Sequence, residues 1–275
     1  MRAFRPIQPP ALQREQLESH YRYREYPPGR GLENHIACYW TLDVRAEAAN
    51  PTCHRIIPDG CADIIFDLSS PPAAGGAFAV GLMTGYEAAD VAGNHSLFGI
   101  RFFPEAVRSF TLYPLSEFAS ARVALEDLWG SDARLVTEQL ASAEGTAERI
   151  DLIESALCRM LLQSRIQADR LLQVGMQYIY DGRGTLSIRS LADKLHYSER
   201  TIRRAFLKEL GIGPKELSGI VRFQYVLQEL HRGTGDRYAG LAAQYGYSDQ
   251  PHLIGDFKRY YGMTPTQVFK NRMAK

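Results

Sequence analysis

The C-terminal part of the chain contains apolar residues spaced three, four and seven positions apart, the spacing that places side chains on one face of an α-helix. One such helix follows Ser187 and a second follows Ser198, and a serine in this position can cap a helix N-terminus. The apolar positions are Ile188, Leu191, Ala192 and Leu195 in the first helix, and Ile202, Ala205 and Phe206 in the second. The pattern predicts two short amphipathic helices joined by a tight turn.

The same pattern occurs a second time, 50 residues further along the chain. Leu191-Ala192 and Tyr197-Ser198 recur at the same interval as Leu241-Ala242 and Tyr247-Ser248. Three later positions also recur, since Phe206, Gly211 and Pro214 correspond to Phe257, Gly262 and Pro265. Self-similarity at a fixed period indicates a repeated supersecondary unit. We therefore predict two helix-turn-helix units, joined by a long helix that begins at Pro214 and ends near residue 230.

The two units differ in the residues that face outward from their second helices. Steps of about 100° per residue place Arg200, Arg204 and Lys208 opposite the buried face of the first unit, with Thr201 and Arg203 beside them. Such a helix fits the major groove of DNA, where guanidinium groups can contact guanine edges or phosphates. The outward residues of the second unit include fewer base-reading groups and are Pro251, His252, Gly255, Lys258 and Arg259.

Two such units in tandem resemble the DNA-binding half of the AraC/XylS family of transcription regulators. The resemblance covers roughly residues 168 to 272 and is most specific in three runs of the second unit: Tyr245-Gly-Tyr-Ser-Asp-Gln-Pro-His252, Asp256-Phe-Lys-Arg-Tyr-Tyr-Gly262 and Gly262-Met-Thr-Pro265. In this family, both recognition helices enter successive major grooves on one face of the DNA. The resemblance implies two partners, double-stranded DNA and RNA polymerase.

The resemblance also implies which residues contact bases. These are Arg200, Arg203 and Arg204 in the first unit, and Gln250, Pro251, His252 and Gly255 in the second. Gly255 departs from the family pattern, in which an arginine is common, so we expect the second unit mostly to position the protein. The complete set of predicted DNA-binding residues is Ser198, Arg200, Thr201, Arg203, Arg204, Lys208, Gln250, Pro251, His252, Gly255 and Lys258.

The N-terminal half has the pattern of short β-strands separated by turn residues. After a short helix at residues 13–20 and an extended segment at 21–26, strands are predicted at residues 35–44, 54–58, 61–68, 78–83 and 96–103. The pair Asp59-Gly60 is a turn signal, so a hairpin is predicted between the second and third of these strands. Several short strands of this kind favour a sandwich or a barrel.

This half resembles the sensor domain of a subset of AraC-type regulators over roughly residues 20 to 130. The resemblance is carried by Ile57-Pro-Asp-Gly-Cys-Ala-Asp-Ile-Ile-Phe66 and Gly99-Ile-Arg-Phe-Phe-Pro104, and it implies a cupin-like barrel. A small-molecule effector would bind in the mouth of that barrel. The candidate polar liners are Asp59, Asp63 and Arg101, with Trp40 and Tyr86 as walls, and each could equally have an ordinary turn, strand-edge or core role.

From Pro104 onward the pattern becomes helical, with helices predicted at residues 105–112, 125–129, 132–140 and 146–163. The last of these is amphipathic, and either a homodimer surface or packing on the barrel would cover its apolar side. Residues 164–168 form the predicted joint. The predicted fold is therefore α+β with two domains, a β-rich sensor or dimerisation domain at 1–165 and an all-α DNA-binding domain at 166–275.

Charge is distributed unevenly between these two parts. The net charge is +1, but from Ala168 onward there are 17 Lys and Arg against 10 Asp and Glu, whereas the preceding part has 15 against 21. A basic C-terminal part favours nucleic-acid binding by that half alone. No apolar run approaches the roughly 20 residues of a membrane span, and the N-terminus lacks a signal-peptide pattern, so we expect no membrane association and a cytoplasmic location.

Catalytic and metal chemistry have no support in the sequence, so we expect a protein that is not an enzyme and needs no cofactor. The four cysteines, Cys38, Cys53, Cys61 and Cys158, form no C-x-x-C pair and are expected to be buried thiols, although Cys53 and Cys61 could instead form a redox sensor. His35, His54 and His95 lack the short spacing of a metal site. Two competing hypotheses are a catalytic or alkyl-accepting domain fused to the DNA-binding half, and an architectural protein with a degenerate second unit.

Overall fold

The computed structural model describes residues 4–9, 21–45, 52–69, 76–91, 93–118, 122–164, 166, 169–233 and 238–269, and the predicted helix at residues 13–20 lies outside them. The strands are β1 (Tyr21–Tyr26), β2 (Ile36–Val44), β3 (Thr52–Ile56), β4 (Ala62–Asp67), β5 (Ala77–Val80), β6 (Glu87–Val91), β7 (His95–Phe102) and β8 (Val123–Ala124). The helices of the N-terminal half are α1 (Arg108–Thr111), α2 (Leu125–Trp129), α3 (Ser131–Ser142) and α4 (Thr146–Gln163), with short 3-10 turns at Pro104–Ala106 and Leu115–Phe118. The C-terminal half is helical, with α5 (Arg170–Asp181), α6 (Ile188–Leu195), α7 (Glu199–Leu210), α8 (Pro214–Arg232), α9 (Tyr238–Gln244), α10 (Gln250–Tyr261) and α11 (Pro265–Val268).

A six-stranded antiparallel sheet forms the centre of the N-terminal half, with the strand order β1-β2-β7-β4-β5-β8, while β3 and β6 pair with each other. Its two faces have different surroundings. Tyr39, Phe66 and Phe98 on one face belong to the main core, whereas Cys38 and Trp40 on the other face belong to a smaller apolar cluster. A β-rich N-terminal domain followed by a helical C-terminal domain confirms the predicted fold class.

The hairpin predicted at Asp59-Gly60 is wrong. Strand β3 pairs with β6, whereas β4 lies between β7 and β5 in the large sheet. The chain does turn at Gly60, whose φ is +72°, but buried hydrogen bonds to a side chain from outside the turn hold the preceding residues in place. The Gln8 amide nitrogen donates to the Ile57 carbonyl at 2.9 Å, and the Ile57 N–H donates to the Gln8 amide oxygen at 3.1 Å.

Other observed elements differ from the predicted ones where the local sequence is ambiguous. Strand β6, with the sequence Glu-Ala-Ala-Asp-Val, was not predicted, because most of these residue types have weak β-propensity. The single helix predicted at residues 105–112 is a 3-10 turn followed by the one-turn helix α1, which ends at Leu112 in a left-handed conformation with φ of 63°.

Helix α4 packs its inner face on the N-terminal domain. Ile153, Ala156 and Leu157 are buried, and Glu154 accepts hydrogen bonds from the Gly29 N–H at 2.6 Å and from the Tyr39 hydroxyl at 3.2 Å. The inner face of this helix therefore packs on the N-terminal domain. Among the described residues, no helix has the combination of length and apolar character that crossing a bilayer requires.

Helix α8 joins the two halves of the molecule. It buries twelve residues, and the same core cluster contains side chains of the sheet and of the C-terminal helices. Phe4 stacks on Tyr180 with a centroid distance of 4.7 Å, and the fully buried Gln224 amide nitrogen donates to the Pro58 carbonyl at 2.8 Å. The C-terminal helices therefore have a fixed position against the N-terminal domain.

We expect Gly184→Ala to destabilise the protein by at least about 2 kcal/mol for two reasons. The left-handed backbone conformation disfavours a side chain, and the added methyl group would overpack its surroundings. Gly184 has φ of +69°, and a Cβ there would lie 2.2 Å from the Ser218 carbonyl oxygen of α8. Urea unfolding measures the effect. Gly31→Ala is the control, because a Cβ at Gly31 meets nothing within 4 Å; equal midpoints for the two variants would contradict this account.

Candidate nucleic-acid interface

The first helix-turn-helix unit has the predicted boundaries and caps. Ser187 Oγ accepts from the Ser190 N–H at 3.0 Å, and Ser198 Oγ accepts from the Thr201 N–H at 3.1 Å. Between the two helices the chain turns at His196, whose left-handed φ of 56° ends α6. The Ser198 hydroxyl also lies 2.9 Å from Thr201 Oγ1. Both side chains therefore orient the start of the recognition helix α7.

Helix α7 presents its cations outward. Ile202, Phe206 and Leu210 are buried, whereas Arg200, Arg203, Arg204 and Lys208 are exposed and Thr201 is half-buried. Among the described residues, no ion pair neutralises the three arginines. Lys208 Nζ lies 4.0 Å from a Glu209 carboxylate oxygen. The three guanidinium groups are thus available for an anionic partner.

The second recognition helix, α10, starts from Asp249, whose carboxylate accepts from the His252 N–H at 2.7 Å. The predicted contact residues Gln250, Pro251, His252, Gly255 and Lys258 are all exposed. A Cβ at Gly255 would meet nothing within 4 Å, so the missing side chain leaves open space on this surface.

Several polar groups of the second unit are engaged inside the protein. Arg259 forms an ion pair with Glu216 of α8. Arg222 lies over the Tyr247 ring at 4.3 Å and pairs with Asp256 at 3.4 Å. His252 Nδ1 lies 3.1 Å from Ser248 Oγ, and its ring packs edge-on against Tyr247. These contacts attach α10 to α8, and they leave this unit with fewer free cations than the first.

The N-terminal domain holds the C-terminal end of the first recognition helix. The Arg108 guanidinium donates to both carboxylate oxygens of the buried Glu209, at 2.6 and 2.8 Å. Ser116 Oγ donates to the Lys208 carbonyl at 2.6 Å. Sequence reasoning missed this contact, because Arg108 and Glu209 are 101 positions apart and neither belongs to a motif.

A second contact of this kind reaches the end of α10. Arg55 Nη1 donates to the Tyr261 carbonyl at 2.7 Å, and the guanidinium carbon lies 5.0 Å from the centre of the Tyr86 ring and 5.8 Å from that of Tyr261. Tyr86 was predicted as a wall of the effector pocket. In the described structure, the Tyr86 ring contacts Arg55 instead. The ring also lies close to Gly262, where a Cβ would be 2.5 Å from it, so the glycine makes room for the ring.

The other four predicted pocket residues do come together, on the side of the sheet that carries the smaller apolar cluster. Arg101 pairs with Asp59 at 3.0 Å and with Asp63 at 3.1 Å, and the Trp40 indole N–H donates to Asp63 at 3.2 Å. The cluster also includes Glu25, 3.5 Å from Arg101, which was not predicted. Arg101 is 3% exposed, so all of its charge must be balanced within the protein.

Close packing fills the space beside this cluster. A Cβ at Gly99 would lie 2.0 Å from the Trp40 ring, so the glycine makes room for the indole. Burial raises the pKa of the Asp63 carboxyl to about 6, with the neighbouring Asp59 charge adding to the effect and the Arg101 ion pair opposing it. Because 15% of the Asp63 side chain remains exposed, this pKa shift changes the free energy of unfolding less than it would for a fully enclosed carboxyl.

Two cysteines adjoin the cluster. Cys38 and Cys61 are buried as predicted, and burial raises the pKa of both thiols, which keeps them protonated. Cys158 is exposed on α4, which contradicts the prediction for that residue, because it lies on the outer face of an amphipathic helix. The structure does not describe the side chains of Cys53 and His54. Within the described part of the chain, no group of three His, Cys, Asp or Glu residues fits a metal ion.

Comparison with known proteins finds a family match in each half. Residues 191–271 match the family described as "Helix-turn-helix domain", and residues 24–124 match one described as "Domain of unknown function". Two tandem helix-turn-helix units define the class as DNA-binding transcription regulators. The chain therefore has an AraC-type helix-turn-helix domain at its C-terminus.

The solved structures similar to this chain include ToxT from Vibrio cholerae, with 12% identity and a TM-score of 0.40 over 92% of this chain and 98% of that chain. An unsaturated fatty acid bound wild-type ToxT is similar at 12% identity and a TM-score of 0.39, over 92% and 95% of the two chains. Among curated proteins, none matches the sequence. Structural similarity at this level adds no detail to the site. The identification of the C-terminal domain rests on the helix-turn-helix match and on the two tandem units.

We expect stability to decrease as the pH rises from about 4 to about 6 through the Asp63 contribution. A carboxyl whose pKa is about 6 in the folded state and near 3.9 in the unfolded state is protonated only in the folded protein within this window. Unfolding then releases a proton, so a higher pH favours the unfolded state. Thermal unfolding from pH 4 to 7 measures the slope.

Asp63→Asn should flatten that slope, since it removes the group that titrates. Asp43→Asn is the matched control, because Asp43 is exposed near the end of β2 and accepts a hydrogen bond from the Ser96 hydroxyl at 2.9 Å. The same slope in Asp63→Asn and in the wild type would show that another group causes it.

Proposed function

We propose that the protein binds specific sites in double-stranded DNA mainly through the first helix-turn-helix unit. In this proposal, the domain at residues 1–165 modulates the DNA-binding domain at residues 166–275 through effector binding or self-association. The observation that supports it is the set of three exposed arginines on α7, Arg200, Arg203 and Arg204, which have no ion-pair partner among the described residues. A guanidinium can pair two acceptors on a guanine edge, which gives sequence discrimination as well as affinity.

The second unit has the complementary role of fixing the protein on the duplex. Lys258 and Arg259 on α10 are both exposed, but Arg259 is paired with Glu216. Gln250 and His252 lie in the first turn of α10, where the helix N-terminus favours a phosphate. Contacts to phosphates set register and orientation without reading sequence. Gly255 adds no side chain that could reach a base.

Regulation by the N-terminal domain is supported by its contacts with the ends of both recognition helices. Arg108 and Ser116 hold the end of α7, and Arg55 holds the end of α10. A cation at a helix C-terminus is favoured by the helix dipole, so these contacts stabilise the observed arrangement. A change in the N-terminal domain would therefore alter the relative position of the two helices.

The effector site in this proposal is the cluster of Asp59, Asp63, Arg101 and Trp40, with Glu25 at its edge. The charged groups are enclosed and mutually paired, so an effector would have to replace one of these partners. Self-association would use the outer face of α4, where Leu162 is 86% exposed. RNA polymerase as a partner and a cytoplasmic location complete the proposal. The first rests on family resemblance, and the second rests on the sequence pattern described above.

Arg204→Ala is expected to weaken binding to a selected duplex by about 1–3 kcal/mol and to relax preference at one base pair. Lys258→Ala should weaken binding to all duplex sequences to a similar degree, and it should reduce the salt dependence of binding by about one charge. Fluorescence anisotropy with duplexes selected from a random pool, and with their single-base variants, separates the two effects.

Arg134→Ala is the control for loss of one positive charge, because Arg134 is an exposed arginine on α3 whose side chain pairs with Glu138. It should bind as the wild type does. If Arg204→Ala bound every duplex as tightly as Arg134→Ala, then α7 would not be the helix that enters the major groove.

A further inference from the structure

Leu207 is an exposed apolar side chain on an otherwise cationic surface. Its side chain is 47% exposed, whereas Ile202, Phe206 and Leu210 of the same helix are at most 1% exposed. It is absent from the apolar residues that pack against the main core. Isolated exposed leucines are common on protein surfaces, so the exposure has meaning only through its position.

Leu207 lies on the same side of α7 as its exposed arginines. With steps of about 100° per residue, Leu207 lies about 20° from Arg200, about 40° from Arg203 and about 60° from Arg204 around the helix axis. It follows Arg203 by one turn along the axis, on the same side. A helix that places these arginines in a major groove therefore places Leu207 against the groove floor or its edge.

The helix end near Leu207 is fixed. The next carbonyl, of Lys208, accepts a hydrogen bond from Ser116, and the following side chain, of Glu209, pairs with Arg108. The Leu207 carbonyl accepts from the Gly211 N–H at 3.1 Å, which closes the helix. The end of the helix on which Leu207 lies therefore has a defined position.

We propose that Leu207 recognises the 5-methyl group of a thymine in the major groove. This inference rests on the proposed function. The thymine methyl is the apolar group that the bases expose in the major groove, and aliphatic side chains contact it there. The surrounding arginines make a polyanionic duplex the favoured occupant of this surface, and an apolar residue among them adds discrimination for thymine that charge cannot provide.

Replacing thymine by uracil, one position at a time, in a duplex selected by the wild-type protein removes only the methyl group. At one position we expect wild-type binding to weaken about fourfold, the effect of one buried methyl. Leu207→Ala should weaken binding to the thymine duplex by a similar factor and lose the difference between thymine and uracil at that position. Leu207→Gln should behave like Leu207→Ala, and Arg204→Ala should retain the difference.

The outcomes separate this inference from the function on which it rests. If the wild type selects no duplex at all, the proposed function is wrong. If it binds selectively but the effect of uracil is the same in the wild type and in both Leu207 variants, the thymine contact is wrong and the function stands. Unchanged duplex binding by the Leu207 variants, with loss of binding to another protein, would equally overturn the thymine contact. Thermal unfolding should show near-normal stability for both variants, because the side chain is exposed.

Discussion

The burial of helix α8 is the constraint on which the rest of the structure depends. Twelve of its 19 residues are buried, so it contacts other elements on most of its surface. Its fully buried Gln224 has its amide satisfied by the Pro58 carbonyl at 2.8 Å and by the Ile7 N–H, which donates to the amide oxygen at 2.8 Å. A buried amide that loses its partners costs about 1–3 kcal/mol, so the position of α8 relative to the N-terminal domain is well determined.

Both recognition helices derive their positions from this helix and from the sheet domain together. Helix α10 is joined to α8 through Arg222 and Asp256, and the Tyr260 hydroxyl lies so near Gly219 that a Cβ there would be 2.8 Å away. The far ends of α7 and α10 are held by arginines of the N-terminal domain. Both halves of the chain therefore set the distance between the exposed faces of α7 and α10.

The helical half could be predicted from sequence because its signals are local. Ser198 caps α7 and Gly211 ends it in a left-handed conformation, and both are recognisable from the residue type and its spacing. The strand pairing could not be predicted in the same way. Asp59-Gly60 has the residues of a hairpin turn, but the pairing of β4 with β7 and β5 depends on buried surfaces from distant segments. The Arg101 cluster was anticipated as a set of polar residues, whereas its Glu25 and the contacts of Arg55 and Arg108 depend on tertiary structure alone.

The two helix-turn-helix units have the same architecture but use their charges differently. In the second unit, Arg259 pairs with Glu216 of α8, Asp256 pairs with Arg222 of α8, and His252 packs against Tyr247. In the first unit, the buried carboxylate Glu209 is neutralised by Arg108 of the N-terminal domain, and the three arginines of α7 have no ion-pair partner among the described residues. Because an arginine paired with a protein carboxylate must first lose that partner to bind another anion, the arginines of α7 are the more accessible cations. The sheet domain thus neutralises a carboxylate on the buried side of α7, while the three arginines lie on its exposed side.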